Sequence, residues 1–284
     1  VAVAGGMESM TNAPHVLTSA RSGYRLGHGQ LFDHMFLDGL EDAYEQGKLM
    51  GAFAELCVEK YGFTREEMDA FAIQSVTRAQ QAVTAGVFAA EIAPVTLTTR
   101  KGEEIIALDE TPMKCDISKI AKLKPAFKRD GAVTPANSSS ISDGAAAFVL
   151  MRESDAKRAG LSPLARIVGH STFAHEPAWF TTAPVFAFKK LLAKAGWQAA
   201  DVDLWEINEA FAAVTMASMR DLNLAADKVN VNGGACALGH PIGATGSRIL
   251  VTLLYALKAR GLQRGIAGLC AGGGEATAIA IEVL

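Results

Sequence analysis

Three short segments near the C-terminus each set one reactive side chain in a tight turn. They are Glu206–Phe211 (EINEAF), Gly233–Arg248 (GGACALGHPIGATGSR) and Leu269–Gly274 (LCAGGG). They supply a carboxamide at Asn208, an imidazole at His240 and a thiol at Cys270. Glycine surrounds the second and third, so a ligand can approach the backbone closely. An amide donor, a base that titrates near neutrality and a thiol are the components of an acyl-transfer site. His240 stands between Gly239 and Pro241, just ahead of an expected helix from Thr245. The positive end of that helix disfavours an imidazolium and keeps the ring neutral. The plainer alternative is a structural loop histidine, and the glycine-rich setting weighs against it. For Cys270 the plainer alternative is a small buried hydrophobe. The glycine run that follows is hard to explain by packing. It can turn backbone N–H groups toward an oxyanion, with Gly272 best placed. Asn208 serves equally well as the cap of a helix beginning at Glu209, and the two roles are compatible.

Each of the three residues lies just past the carboxyl end of an expected strand, where parallel sheets gather their ligands. The strands and helices that position them alternate. A strand at Ala165–Val168 precedes a helix at Val185–Ala195, closed by Gly196. A strand at Asp203–Ile207 leads into a helix at Glu209–Leu222. A short strand at Val229–Val231 precedes a helix at Thr245–Arg260, whose apolar stripe holds Ile249, Leu250, Leu253, Leu254 and Leu257. Strands Ile266–Cys270 and Ala276–Val283 follow, joined by glycines. The class is α/β, and the alternation implies a mainly parallel sheet covered on both faces.

Weak self-similarity divides the rest. Val1–Ser9 resembles Ile266–Ala276, and Ser142–Met151 resembles Gly274–Leu284. Residues 1–11 and 141–158 therefore read as the last two strands of a first α/β unit, residues 12–140 as an insertion, and 159–284 as a second unit. The chain opens on a buried strand without Met, so the earlier part of the first unit, on the order of 100 residues, is expected to be absent. Within the insertion, Thr64 and Glu67 form a capping box for a helix that ends at Gly86. Pro94–Arg100 and Glu104–Asp109 read as a hairpin turning at Lys101-Gly102. A basic stretch of six charges in sixteen residues (Lys114, Lys119, Lys122, Lys124, Lys128, Arg129) leads into Asn137-Ser138-Ser139-Ser140. It suits a phosphate-bearing ligand or, equally, a solvated face.

The 284 residues are half apolar and carry a formal charge of −3, a balance that argues against nucleic acid as a partner. No stretch is apolar and long enough to span a bilayer, and no targeting peptide is evident. The four cysteines (Cys57, Cys115, Cys236, Cys270) have no metal-ligand spacing, and they read as reduced thiols of a reducing compartment, the cytoplasm. Cys57, Cys115 and Cys236 are expected to be structural. The histidines other than His240 stand in no comparable context.

Taken together these residues resemble the thiolase family, the acetyl-CoA acetyltransferase and 3-ketoacyl-CoA thiolase group. The likeness is carried by GGMESMTNAPH (5–15), KLKPAF (122–127), ANSSSISDGAAA (136–147), NEAFA (208–212), NGGACALGHPIGATGSR (232–248) and CAGGGEA (270–276), in family order from end to end. The resemblance implies a duplicated five-layer αβαβα fold, its first half incomplete, with an inserted loop domain that binds CoA. It implies acyl transfer between acyl-CoA and CoA: thiolysis of a 3-ketoacyl-CoA, or condensation of two acetyl-CoA. Coenzyme A is a substrate, with no bound cofactor or metal. An early cysteine takes the acyl group in the family, and none of the four cysteines here stands in that motif. By resemblance His240 activates that cysteine and, with a water held by Asn208, binds the thioester oxygen. Cys270 moves the proton at the substrate α-carbon or the CoA thiol, and the Gly272 N–H helps form a second oxyanion hole. Phe127, Ser139 and Phe211 match positions lining the pantetheine pocket. Met50 lies in Leu49-Met50-Gly51, where short-chain members have His-Met-Gly, and Lys114 loosely replaces an arginine near the adenine. Ala136 and Ser140 stand where glycine is usual. The family implies fatty acid metabolism and a homodimer or homotetramer, with the exposed loop Ser19–Leu31 as a contact; the absent segment is the other expected partner. Such a chain alone is expected to be inactive. Two alternatives remain: a non-catalytic acyl-CoA-binding scaffold, and a decarboxylating condensing enzyme, against which the CxGGG segment speaks.

Overall fold

The computed structural model describes residues 1–284. Strand β1 (Ala2–Ser9) leads into an excursion holding β2 (His15–Val16), β3 (Phe32–Asp33), α1 (Met50–Tyr61), α2 (Arg65–Thr84), the hairpin β4 (Val95–Thr99) and β5 (Gly102–Ile106), and α3 (Glu110–Lys114). The chain returns as β6 (Asp143–Leu150) and α4 (Glu153–Arg158). The remainder runs β7 (Ala165–Ala174), α5 (Ala183–Ala195), β8 (Leu204–Ile207), α6 (Ala212–Leu222), α7 (Ala235–Leu238), α8 (Thr245–Arg260), β9 (Arg264–Ala271) and β10 (Glu275–Val283).

Local chemistry sets many of these bounds. Thr64 Oγ1 accepts from the Glu67 N–H at 3.2 Å, and the Glu67 carboxylate accepts from the Thr64 N–H at 2.8 Å, which starts α2 as the sequence indicates. α5 ends on Gly196 at φ 69°. α8 occupies the span expected of it, Thr245–Arg260.

The four-stranded sheet has the order β7-β10-β9-β8. Only β8 and β9 are parallel; β10 runs antiparallel to both its neighbours. The expectation of a mainly parallel sheet is therefore corrected. The glycine turn between β9 and β10 is too short for a crossover, so the chain folds straight back as a hairpin, with Glu275 opposite Ala271. Val229–Val231 forms no strand, only a single parallel bridge from Val229 to Trp205. Asn230 there adopts φ 46°, which breaks an extended run.

α5 covers one face of the sheet and α8 the other. Beside α5, Phe188 meets Trp205 edge to face with ring centroids 5.4 Å apart, both rings fully buried. On the second face Leu253, Leu257 and Ile281 form a core that also takes in Phe148 of β6. α8 thus lies between two sheets, because its far side packs on β1 and β6. Those two strands pair antiparallel, from Ala2 opposite Leu150 to Ser9 opposite Asp143. Their outward face carries exposed Val3, Met7 and Val149. No helix is long and apolar enough to cross a membrane.

Candidate active site

β8 and β9 run side by side and deliver Asn208 and Cys270 at their carboxyl ends. Ile207 is opposite Gly268, and the Asn208 N–H donates to the Gly268 carbonyl at 3.0 Å. The end of β8 is pinned by Asn230, whose Oδ1 accepts from the Ile207 N–H and whose Nδ2 donates to the Ile207 carbonyl, both at 2.8 Å. Asn208 does not cap α6. That helix begins three residues later than the sequence reading, after an extended Phe211 (φ −140°, ψ 150°). The serine loop accounts for the delay: Ser138 bridges Phe211, the Ala212 N–H donates to the Asn137 carbonyl at 2.9 Å, and the Ser139 N–H donates to the Ala210 carbonyl at 3.1 Å. Residues 210 and 211 pair with that loop instead of turning into helix, which starts at Ala212.

His240 enters from the loop before α8. Its Nε2 lies 3.3 Å from Asn208 Nδ2, and its Nδ1 lies 2.6 Å from the Thr245 hydroxyl. The structure therefore brings the carboxamide and the imidazole together as expected. The Asn208 Oδ1 is buried and accepts nothing from the protein, which leaves it free to accept from a ligand or a water. Gly239 adopts φ 90°, and a Cβ there would strike the Ser142 side chain. Glycine is needed because the serine loop lies against this turn, with the His240 N–H donating to the Ser140 carbonyl at 3.1 Å.

Burial pulls the His240 pKa down to about 4, helped by the nearby Arg248 guanidinium, so the ring is a neutral base at physiological pH. Cys270 sits in the apolar cluster that includes Phe53, Phe180 and Phe211, and burial pushes its thiol up to about 12. Burial likewise raises Cys57 to about 11, Cys236 well above the ordinary value, and Cys115 upward. None of the four thiols is poised as a thiolate nucleophile.

Around this centre, Phe127 and Phe211 meet edge to face with centroids 6.2 Å apart. Gly51 allows Phe127 to lie on α1, since a Cβ at that position would strike the ring. Met50 Sδ is 2.8 Å from where a Gly272 Cβ would stand, so Met50 and Gly272 border one another. The Ser139 hydroxyl donates to the Ala210 carbonyl at 3.0 Å. Lys114 stands apart: it is exposed and pairs with Glu110 at 3.1 Å, and no hydrogen bond or ion pair links it to the other residues. Lys119 and Lys128 of the basic stretch are also engaged, with Asp116 and Glu59.

Residue types and spacing did not disclose a buried polar knot behind the site. The Glu209 carboxylate is buried and accepts from the Ser75 hydroxyl at 2.7 Å, the Cys236 N–H at 3.0 Å and Asn230 Nδ2 at 2.8 Å. The Gly234 N–H donates to Ser75 Oγ at 2.9 Å. α2, the turn after β8 and the GGAC segment are thereby joined. Glu209 was legible only as the neighbour of Asn208, and Thr245 only as a helix start.

The α/β architecture sets an amide beside a neutral imidazole, with a buried thiol on the neighbouring strand, a combination chemically suited to acyl transfer. The particular family follows from comparison. Residues 1–154 match the family described as "Thiolase, N-terminal domain" and residues 161–283 the "Thiolase, C-terminal domain". The chain belongs to the thiolase family and has its fold. An acetyl-CoA acetyltransferase of Chromobacterium violaceum is 50% identical over 284 residues, covering 99% of this chain and 72% of the relative. The crystal structure of the Bacillus anthracis acetyl-CoA acetyltransferase superposes with a TM-score of 0.95 at 46% identity, covering 99% of this chain and 71% of that one. The Acat5 thiolase of Ascaris suum in complex with coenzyme A gives 0.92 at 43% identity, covering 99% and 72%.

Proposed function

We propose that this chain serves acyl transfer between acyl-CoA and CoA: thiolytic cleavage of a 3-ketoacyl-CoA or, in reverse, condensation of two acetyl-CoA. The observation that carries the reading is the Asn208–His240 contact at 3.3 Å, with the imidazole kept neutral by burial. Once His240 has taken the nucleophile's proton, its Nε2–H and the Asn208 amide side by side suit a thioester oxygen, whose negative charge grows as the carbonyl is attacked. Coenzyme A enters as substrate along Phe127, Phe211, Ser139 and Met50, a wall apolar enough for pantetheine. The Ascaris relative with coenzyme A bound supports coenzyme A as the ligand.

In this reading a cysteine thiolate, its proton taken by His240, attacks the 3-keto carbon. The bond between C2 and C3 breaks, and the electron pair left on C2 takes the proton of Cys270, releasing acetyl-CoA. Incoming CoA gives its thiol proton to the Cys270 thiolate, attacks the acyl-enzyme and leaves as acyl-CoA, and the cysteine thiolate is regenerated. A thiol held up at about 12 suits Cys270 to this role, because it stays protonated until a strong carbon base takes its proton. The Gly272 N–H would face the thioester oxygen in the C2 step.

The attacking cysteine is a further part of the proposal. None of the four cysteines here stands in the family's nucleophile motif, so we assign the nucleophile to polypeptide beyond these 284 residues and expect no turnover from the chain alone. We further propose the division into strands 1–11 and 141–158, loop domain 12–140 and second half 159–284. A cytoplasmic setting, a role in fatty acid metabolism and a homodimeric or homotetrameric state belong to the same reading. The exposed apolar face of β1 and β6 and the exposed loop Ser19–Leu31 motivate the last of these.

Calorimetry with CoA, paired with a thiolysis assay of the chain with and without a nucleophile-bearing N-terminal segment, tests the proposal. We expect CoA binding by the chain and turnover only in the combination. CoA binding without turnover in the combination would make the protein an acyl-CoA-binding scaffold, and full turnover by the chain alone would overturn the assignment of the nucleophile.

A further inference from the structure

We propose that Thr245 is a positioning residue of the site: its buried hydroxyl holds His240 as the Nδ1–H tautomer, leaving Nε2 as the lone-pair nitrogen beside Asn208. Thr245 is fully buried, and Oγ1 has two polar neighbours. One is the Pro241 carbonyl at 2.9 Å, which can only accept; the other is His240 Nδ1 at 2.6 Å. A hydroxyl has one proton and two lone pairs. Committed to Pro241, the proton leaves a lone pair facing Nδ1, which must then bring its own hydrogen. The neutral ring carries only one, so Nε2 is bare.

The opposite arrangement also connects, and it is the poorer one. There the Thr245 proton points at Nδ1, Nε2 carries the hydrogen, and the Asn208 amide turns its oxygen toward it. Both Asn208 N–H groups would then lie at the buried position where Oδ1 now meets no partner, and neither would be taken up by the ring as one is now. An unmet buried donor is costly. In the first arrangement each of the three side chains spends a proton on a neighbour, and the Asn208 Oδ1 and its second N–H remain to be met. Thr245 is also neutral, unlike the carboxylate that commonly backs a catalytic histidine. It orients the ring without stabilising the imidazolium, in keeping with the depressed pKa of His240.

The inference concerns how His240 is held. Its consequence for catalysis rests on the acyl-transfer reading above, but its test does not. Nitrogen-15 resonances of the His240 ring in the 284-residue chain, assigned by their loss in His240→Asn, report which nitrogen bears the proton. The expected pattern is a protonated Nδ1 and a bare Nε2 at pH 7. Thr245→Val keeps the shape and removes the hydroxyl, and the ring should shift to a majority of Nε2–H. Thr245→Ser should restore the native pattern. Val is not expected to unfold the turn, since the Ala244 and Thr245 N–H groups still donate to the Pro241 carbonyl, both at 2.9 Å. A wild-type ring protonated at Nε2 would overturn the proposal. So would an unchanged tautomer in a folded Thr245→Val, because loss of a merely structural hydroxyl lowers the unfolding midpoint and leaves the ring alone. Where thiolysis is measurable, Thr245→Val should lower kcat about tenfold or more with KM little changed, in line with other residues that orient a working histidine. Absence of thiolysis when the chain is combined with a nucleophile-bearing segment, with the tautomer as stated, would fault the acyl-transfer reading and spare this one.

Discussion

Cys270 is useful because it is a reluctant acid. Its neighbours are aromatic and aliphatic, so the thiolate has little to stabilise it, and burial sets its pKa near 12. Alkylation follows the thiolate fraction. We expect iodoacetamide to leave Cys270 unmodified at pH 7, with a rate that climbs about tenfold per pH unit toward pH 9; peptide mass spectrometry reads both, and rapid labelling at pH 7 would contradict the burial argument. Glu209 is also raised by burial, against the pull of the three donors that hold its carboxyl. Glu209→Gln keeps the volume but places an amide N–H against one of those donors, leaving buried groups unmet. A loss of about 1–3 kcal/mol in urea unfolding is expected. Because the knot joins the turn after β8 to the GGAC segment, CoA affinity should fall with it in calorimetry.

The elements around the site are held by each other's backbones, which is why turns matter more here than helix propensities. Gly239 occupies φ 90° and ψ 171°, a region open almost only to glycine, and the serine loop lies on it. Gly239→Ala should cost about 1–3 kcal/mol from the backbone alone, plus the displacement of Ser142. The histidine loop should loosen with it, to be seen as faster amide exchange at His240. The same interdependence decides what could be read beforehand. α2, α5 and α8 were legible because capping residues and apolar stripes lie within each segment. The meeting of Asn208 and His240 was legible from their residue types and turn settings, although the strand expected ahead of His240 does not form. The start of α6 was not, since Ser138 holds Phe211 extended and Asn137 takes the Ala212 N–H from about seventy positions away. The sheet direction was misread because alternation of helix and strand says nothing of the tight return between β9 and β10. Thr245 and Glu209 have ordinary local sequence, and their partners are set by tertiary contact.

At the scale of the whole molecule, α8 is the hub between two sheets, and its charged residue is poorly matched. Arg248 reaches Glu206 only at 3.9 Å, and both its terminal nitrogens lack a hydrogen-bond partner. Burial raises Glu206 to about 8 and Glu91, whose carboxylate accepts from Thr252, to about 7. A carboxyl raised above its unfolded value of 4.5 contributes stability that is fully present below pH 4.5 and lost as pH climbs through its folded pKa. His240 works in the other sense: lowered from 6.5 to about 4, it contributes stability above pH 6.5 that is lost as pH falls toward 4. The two trends offset one another below pH 6.5, and the carboxyls act unopposed above it. The urea midpoint of the chain should therefore decline between pH 6.5 and 8, each carboxyl contributing at most about 1.4 kcal/mol per pH unit. Glu206→Gln cannot ionise, so it should flatten that decline while changing the midpoint little at pH 5. His240→Asn should raise stability below pH 6 relative to the parent and leave the alkaline limb in place. A Glu206→Gln chain whose midpoint still falls as steeply from pH 6.5 to 8 would show that the carboxylate is already ionised by Arg248, and that the ion pair under α8 is closer than its 3.9 Å separation implies.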